Sequence, residues 1–119
     1  MSIQRKLLRE AFQTGGRPDL APVHPGELLK EDFLDPLGIS QTQLAQAIGV
    51  PINRINEIVK GKRNISPETA WLLAEYFDMS VEYWSNIQQY YDLCQAHAVI
   101  ANKLAQVRPH AQEMLSQRA

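Results

Sequence analysis

The sequence predicts a single small all-α domain, and three observations lead to that prediction. Apolar residues recur at three- and four-residue spacing through most of the 119-residue chain, whereas no segment shows convincing strand alternation. Cap-forming residues precede the apolar segments, and glycine or proline follows them. Hydrophobic residues make up 45% and charged residues 21% of the chain, which is ordinary for a globular protein. A domain of this size can bury a core but not a large enclosed active site as well.

The N-terminal segment predicts a short amphipathic helix over residues 1–13, because apolar side chains fall near one face. These side chains are Ile3, Leu7, Leu8 and Phe12. Paired glycines and two prolines then indicate a linker, so residues 1–21 are assigned to an arm and linker. The arm could contact a partner protein, its own domain or DNA, and the residues that favour DNA are Arg5, Lys6 and Arg9.

The first helix of the domain is predicted to begin at the sequence HPGE. Pro25 occupies a tolerated first-turn position, and Glu27 interacts favourably with the helix dipole. The helix carries a broad apolar face made of Leu28, Leu29, Phe33, Leu34 and Leu37.

Two short helices joined by a tight turn follow. Ser40 and Gln43 match the capping box at the start of the first, and Gly49 suits the left-handed position at its end. Pro51 restarts the chain as a first-turn proline, and the second helix runs to Gly61. This arrangement is a helix-turn-helix, in which the second helix enters the major groove of DNA.

The second of these helices has one apolar and one polar side. Its isoleucines and Val59 cluster together, whereas Asn53, Glu57 and Lys60 point the opposite way, with Arg54 and Asn56 on the flanks. Asn can pair bidentately with adenine, and Arg with guanine. Taken alone, an ordinary solvated face explains this pattern better. The helix-turn-helix context favours a base-reading face.

The remaining helices are predicted from residue 66 onward. Ser66 and Pro67 open one helix, whose core candidates are Trp71, Leu73, Ala74 and Phe77. Ser80 caps the last helix, whose pattern persists to Val107 before Pro109 interrupts it. An apolar stripe at helical spacing follows the last helix: Trp84, Ile87, Tyr91 and Cys94. Trp84 and Ile87 are predicted to lie in the core, while the candidates for a homodimer interface are Tyr90, Tyr91 and Cys94. The helix-turn-helix domain is assigned to residues 22–96, and residues 97–119 to a C-terminal helical extension and tail.

Charge is distributed unevenly along a chain whose formal net charge is only −1. Residues 40–65 carry four cationic side chains and one carboxylate, for a net +3. Residues 66–96 carry five carboxylates and no Lys or Arg, for a net −5. This separation indicates one side that faces a polyanion and another that faces away from it.

Several classes of function are excluded by what the sequence lacks. The lone Cys94 cannot form an internal disulfide or a multi-cysteine zinc site, and its place on an apolar stripe favours a buried, inert thiol. His24, His97 and His110 lack metal-ligand spacing. No glycine-rich phosphate loop, membrane span or signal peptide is recognisable. We therefore expect a soluble, cytoplasmic protein that is not an enzyme and needs no cofactor or metal.

Three segments of the sequence resemble those of a known family. HPGELLKEDFLDPLGIS, GKRNISPETA and MSVEYWSNIQQYYDL are similar to the HigA-type antitoxins, the VapI-like group of the XRE (Cro/repressor-type) helix-turn-helix family, over about residues 22–96. The resemblance implies a five-helix Cro/repressor-type fold. It also implies an antitoxin of a type II toxin–antitoxin module, which binds a palindromic operator as a dimer, represses its own operon and neutralises a RelE-like mRNA endonuclease. The alternatives are a stand-alone XRE-type repressor and, less favoured, a protein-binding adaptor.

The resemblance also implies roles for individual residues. The base-reading positions are Asn53, Arg54, Asn56 and Glu57, and His24 falls on a helix-capping position. The backbone-contact positions are Gln41, Lys62, Arg63 and Ser66, to which Gln43 is added because it lies at the same helix N-terminus as Gln41. Ile52 departs from the pattern, since this position is polar in many relatives. Contact with a thymine methyl and packing into the core both remain open, with the core role favoured.

Overall fold

The structure is a computed structural model, and it describes residues 23–110 of the chain. These residues form five helical units and no β-strand, which confirms the predicted all-α class. The predicted arm and linker, residues 1–21, lie outside the described residues, as does most of the predicted tail.

The first unit is a continuous helical segment with a widened middle. It consists of α1 (Pro25–Leu28), a π-helix (Leu29–Leu34) and α2 (Asp35–Leu37). The wider turns had no signal in the sequence, which predicts one ordinary helix here. The segment ends at Gly38, whose φ of +66° lies in the left-handed region that glycine tolerates.

Two capped helices, α3 (Gln41–Ile48) and α4 (Ile52–Val59), form the helix-turn-helix. The predicted capping box is present: Ser40 Oγ accepts a hydrogen bond from the Gln43 N–H at 3.0 Å, and Gln43 Oε1 accepts one from the Ser40 N–H at 2.8 Å. Gly49, with φ of +72°, makes the turn. Both local predictions are therefore confirmed.

The last two helices are α5 (Pro67–Tyr76) and α6 (Val81–Leu104). Both begin at a serine N-cap, since Ser66 Oγ accepts from the Thr69 N–H and Ser80 Oγ accepts from the Glu82 N–H, each at 3.2 Å. The sequence had predicted these two caps. Its prediction that the helix persists to Val107 was too long, because α6 ends at Leu104.

The core lies between α5, the first half of α6 and the inner faces of the other helices. Trp84 and Ile87 are buried there, as predicted. The Trp84 ring lies 4.9 Å from the Phe33 ring and 6.1 Å from the Phe77 ring, measured between centroids. This aromatic cluster packs the π-helix and the end of α5 against α6. The packed unit supports α3 and α4.

Two predicted core residues, Trp71 and Ile52, lie at the surface instead, as does Leu37 of the predicted apolar face. Trp71 is 66% exposed, because the buried residues of α5 recur at positions 69, 70, 73 and 74 and place it on the outer side. Leu37 is exposed at the end of α2. Ile52 is 40% exposed as the first residue of α4, which corrects the favoured core role and leaves its side chain open to a ligand.

The two halves of α6 differ in their surroundings. The first half, through Cys94, contributes buried side chains to the core, including the polar Gln88. Every residue from 95 to 110 is exposed. The second half of α6 is therefore exposed on all sides, with apolar side chains open to solvent, among them Ile100 and Leu104.

Candidate nucleic-acid interface

The predicted recognition helix, α4, is anchored by one face and leaves the other accessible. Ile55 and Ile58 are buried, and they hold the helix against the core. The side chains of the four predicted base readers are all accessible to solvent: Asn53 is exposed, and Arg54, Asn56 and Glu57 are partly exposed. The structure therefore places these four residues together on the outer part of one short helix, although their contacts with bases stay a prediction.

A close contact between α1 and α4 sets the position of the recognition helix. Gly26 lies so near the backbone of α4 that a Cβ atom built on it would be 1.7 Å from the carbonyl oxygen of Ile58 and 3.1 Å from the Cα of Val59. Only a residue without a side chain permits this approach. The sequence did not single out this glycine, although a glycine in the first turn of a predicted helix is a signal of close backbone packing.

The loop that follows α4 folds back over the last turn of that helix. Gly61 has φ of +77°, and its N–H donates to the carbonyl oxygen of Ile58 at 3.0 Å. The Lys62 N–H donates to the carbonyl oxygen of Glu57 at 2.8 Å. These bonds hold Lys62 and Arg63, both exposed, beside the end of the recognition helix. Two predicted phosphate contacts thus adjoin the predicted base readers.

An ion pair joins these two predicted groups directly. Arg63 Nε donates to Glu57 Oε2 at 2.8 Å. The sequence placed Glu57 among the base readers and Arg63 among the phosphate contacts, with no link between them. Because Arg63 follows Glu57 by six positions and the left-handed Gly61 lies between them, helical spacing could not reveal the pair.

The start of α5 is tied to α6 through a buried amide. Gln88 Oε1 accepts from the Ile65 N–H at 2.7 Å, and Gln88 Nε2 donates to Asp92 Oδ1 at 2.9 Å. Ile65 immediately precedes Ser66, the N-cap of α5 and a predicted phosphate contact. Sequence reasoning missed Gln88, whose signal is a polar residue beside Trp84 and Ile87 on the buried side of the helix.

The start of α3 completes the surface. Gln41 is partly exposed and Gln43 is exposed. The capping bond to Ser40 uses the carbonyl oxygen of the Gln43 side chain, so its Nε2 group can still donate to a phosphate oxygen. The predicted phosphate contacts therefore come from two helix N-termini and from the basic loop that follows α4.

The comparisons with known proteins identify the family. A family model described as helix-turn-helix matches residues 29–84. Virulence-associated protein I of Dichelobacter nodosus is 44% identical over 78 residues, which cover 66% of this chain and 72% of that protein. Antitoxin HigA-1 of Vibrio cholerae is 40% identical over 72 residues, which cover 60% of this chain and 68% of that protein. A solved structure of the Pseudomonas aeruginosa antitoxin HigA with the higBA promoter has 37% identity and a TM-score of 0.72, covering 76% of this chain and 99% of that one.

This chain belongs to the HigA-type antitoxins of the XRE helix-turn-helix family. The resemblance inferred from the three sequence segments is thereby confirmed, and so is the five-helix fold that it implied.

The residues predicted for a HigA-type dimer interface differ in their accessibility. Tyr90 is 6% exposed and Cys94 is 7% exposed, so the single chain already buries both of them. Side chains enclosed in their own core offer little surface to a partner, and the role of these residues in a dimer stays a prediction. Burial also raises the pKa of the Cys94 thiol, with Tyr90 opposing the shift, as expected for an inert thiol. Tyr91 remains partly exposed.

His24 contacts both α1 and α6 of this HigA-type domain. Its Nδ1 accepts from the Gly26 N–H at 3.0 Å and so caps α1, as the resemblance implied. Its ring lies 4.9 Å from that of Tyr91 on α6, edge to face. Burial lowers the pKa of His24, and this effect outweighs the opposing effects of Asn64, Asp92 and Glu27. The neutral imidazole is therefore the form that the fold favours.

Among residues 23–110, no group of His, Cys, Asp and Glu side chains is arranged to hold a metal ion. None of the described helices combines the length and apolarity needed to cross a membrane.

Proposed function

We propose that this chain binds a palindromic operator in double-stranded DNA as a homodimer, represses its own operon and neutralises a RelE-like mRNA endonuclease toxin. The observation that carries the proposal is the arrangement of α4. Its apolar side is buried and its accessible side carries Asn53, Arg54 and Asn56, beside the basic loop with Lys62. Amide and guanidinium groups on a rigid helix of this kind are suited to recognition of the major groove.

The groups around α4 would set the register of the domain on DNA. Contacts to phosphates fix orientation and contribute affinity that depends on salt, while contacts to base edges discriminate between sequences. The Gln41 and Ser66 side chains lie at the N-termini of α3 and α5, where the helix dipole also favours an anion. Arg54 and Asn56 supply the donors suited to guanine and adenine.

Dimerisation is proposed through the second half of α6. Leu93, His97, Ile100 and Leu104 follow one another at spacings of four, three and four residues, which is the pattern of a helix-to-helix seam. We call these four residues the distal seam. All four are exposed in the single chain, and Tyr91 precedes them on the same helix. A two-fold pair of recognition helices spaced about 34 Å apart would read half-sites one helical turn apart.

Neutralisation of a toxin is supported by the family to which the chain belongs and by its acidic surface. Residues 66–96 carry a net charge of −5 and include the exposed Glu68, Glu75 and Glu82. A ribosome-dependent endonuclease of the RelE type must itself approach RNA, so we expect it to be basic and to be attracted to this acidic region.

The DNA-binding part of the proposal is tested by footprinting the promoter of the chain's own gene, followed by two matched variants. Arg54→Ala should weaken operator binding by about 1–3 kcal/mol and relax preference at one base pair. Lys62→Ala should weaken binding to all duplexes alike and reduce the salt slope by about one. Absence of a protected palindrome, or equal effects of both variants on every sequence, would contradict the assigned roles.

The toxin part is tested separately by co-expression with the neighbouring gene. Rescue of growth together with co-purification of the two products would support neutralisation. A protected operator without growth rescue or co-purification would instead support the stand-alone repressor.

A further inference from the structure

The Glu57–Arg63 ion pair presents an electrostatic problem for a DNA-binding surface. Glu57 is the only carboxylate between residues 40 and 65, and it lies on the helix proposed to enter the major groove. An unpaired carboxylate there would be repelled by the phosphates that the surrounding cations attract. The position of Glu57 is favourable only if its carboxylate accepts a hydrogen bond from a base or is neutralised by a cationic side chain of the protein.

The structure shows the second arrangement. Arg63 Nε donates to Glu57 Oε2 at 2.8 Å, and the backbone supports this contact because the Lys62 N–H donates to the Glu57 carbonyl oxygen at 2.8 Å. The same residue of α4 therefore holds the loop by its main chain and the guanidinium by its side chain. The left-handed Gly61 directs the chain back to allow both contacts.

The bond leaves the outer part of the guanidinium available. A guanidinium has one donor on Nε and two on each terminal nitrogen, and the terminal pair forms the fork that matches a phosphate or a guanine edge. Because Glu57 takes the Nε donor, the fork can be presented to DNA in a fixed orientation. A long side chain held in place before binding loses less conformational entropy when the complex forms.

We propose that Glu57 is a positioning residue that orients Arg63 for contact with DNA, and that it does not read a base. This inference rests on the proposed DNA-binding function and replaces the base-reading role that the resemblance implied for Glu57. Arg63 makes the contact with DNA, and Glu57 acts only through it.

A double-mutant cycle tests this division of roles on the full-length chain. Arg63→Ala should weaken binding to the operator by about tenfold or more, the effect of losing a charge-assisted bond. Glu57→Gln should weaken it by about two- to fivefold, since the exposed pair contributes modestly. In the Arg63→Ala background, Glu57→Gln should leave affinity unchanged or strengthen it, because only the repulsion from phosphates remains to be removed.

Glu68→Gln is the matched control. Glu68 is an exposed carboxylate at the start of α5, and its substitution changes the net charge of the chain by the same amount without touching Arg63. It should have the same small effect in both backgrounds. If Glu57→Gln behaves as Glu68→Gln does, with no dependence on Arg63, the positioning role is wrong.

Base preference separates positioning from direct reading. Against operators with each base pair replaced in turn, Glu57→Gln should preserve the order of preference. A change of preference confined to one base pair, and retained in the Arg63→Ala background, would overturn the inference and assign Glu57 to a base.

One measurement does not depend on DNA at all. The Nε–H resonance of Arg63 in a ¹H–¹⁵N NMR spectrum should be shifted and protected from exchange in the wild-type chain and in Glu68→Gln. It should lose both properties in Glu57→Gln. If the resonance is unchanged in Glu57→Gln, the inference is wrong even when the chain binds its operator. If the chain binds no operator, the proposed function is wrong, whereas the NMR result on the Glu57–Arg63 pair still stands.

Discussion

The helix-turn-helix and the second half of α6 differ in how far the rest of the chain packs against them. The former is fixed from within the chain by a capping box and by the close approach of Gly26, and the buried amide of Gln88 holds the start of the next helix. Residues 95–110 are exposed throughout, although they include apolar side chains such as Ile100. A surface that must match a rigid duplex benefits from being set in advance. A helix face proposed to meet a second protein can leave burial of its apolar residues to that partner.

The largest effect is expected where α1 meets α4. Gly26→Ala would place a methyl group 1.7 Å from the Ile58 carbonyl oxygen, a distance that requires the backbones to separate. We expect the free energy of unfolding to fall by about 3 kcal/mol or more, at the upper end of overpacking effects. Chemical denaturation measures this loss. The control Glu27→Ala, an exposed change in the same turn, should cost less than about 1 kcal/mol, and equal losses in the two variants would contradict the close-contact explanation.

A smaller loss is expected at the buried amide that connects α6 to the start of α5. Gln88→Ala would leave the Ile65 N–H without its acceptor, which costs about 1–3 kcal/mol in a buried site. The neighbouring Gln89 is exposed, so Gln89→Ala should change stability by less than about 0.5 kcal/mol. Thermal and denaturant unfolding of both variants would decide. A Gln88→Ala protein as stable as the wild type would show that water replaces the lost acceptor.

The ends of the helices show which features were predictable from the sequence. The caps at Ser40, Ser66 and Ser80 were predicted because a cap depends on residues two or three positions apart. The left-handed glycines at positions 49 and 61 were predictable for the same reason. Local signals thus located the helix-turn-helix and its accessible face.

Features that depend on the packing of distant segments were not predictable. The need for glycine at position 26 arises from the path of α4, more than thirty residues later. Trp71 was assigned to the core, whereas the position of α5 against α6 turns it outward. The pairing of Glu57 with Arg63 depends on the return of the loop after α4, which residue spacing on a helical wheel does not describe.

Lowering the pH should reduce the stability of the packed part of the domain through His24, and it should have no such effect in the second half of α6. Because the pKa of His24 in the folded chain lies below its ordinary value of 6.5, the unfolded chain binds a proton more readily. The contribution of neutral His24 to stability is therefore complete above pH 6.5 and is lost as pH falls through the folded pKa. Protonation would also remove the Nδ1 acceptor that caps α1, and a lost cap costs about 1 kcal/mol.

The unfolding midpoint of the wild-type chain should accordingly stay constant above about pH 6.5 and decrease as the pH falls below that value. His24→Asn retains a capping side chain but does not titrate, so much of this decrease should disappear. His110→Gln, at an exposed position outside the distal seam, should retain it. A pH dependence that survives His24→Asn unchanged would assign the effect to other groups.

The smallest effect on the folding of a single chain is expected in the distal seam, where the effect on association should be large. Ile100 is 42% exposed and belongs to the second half of α6, so Ile100→Gln should alter monomer stability by less than about 0.5 kcal/mol. If the seam joins two chains, the wild-type unfolding midpoint should rise with protein concentration, because association stabilises the folded state. Ile100→Gln should abolish that rise and yield a monomer in sedimentation experiments, whereas Val99→Gln, exposed but off the seam, should not.

A wild-type chain that stays monomeric at all concentrations, or an Ile100→Gln variant that still dimerises, would place the dimer contact elsewhere. In either case the exposed apolar face of α6 would require another partner.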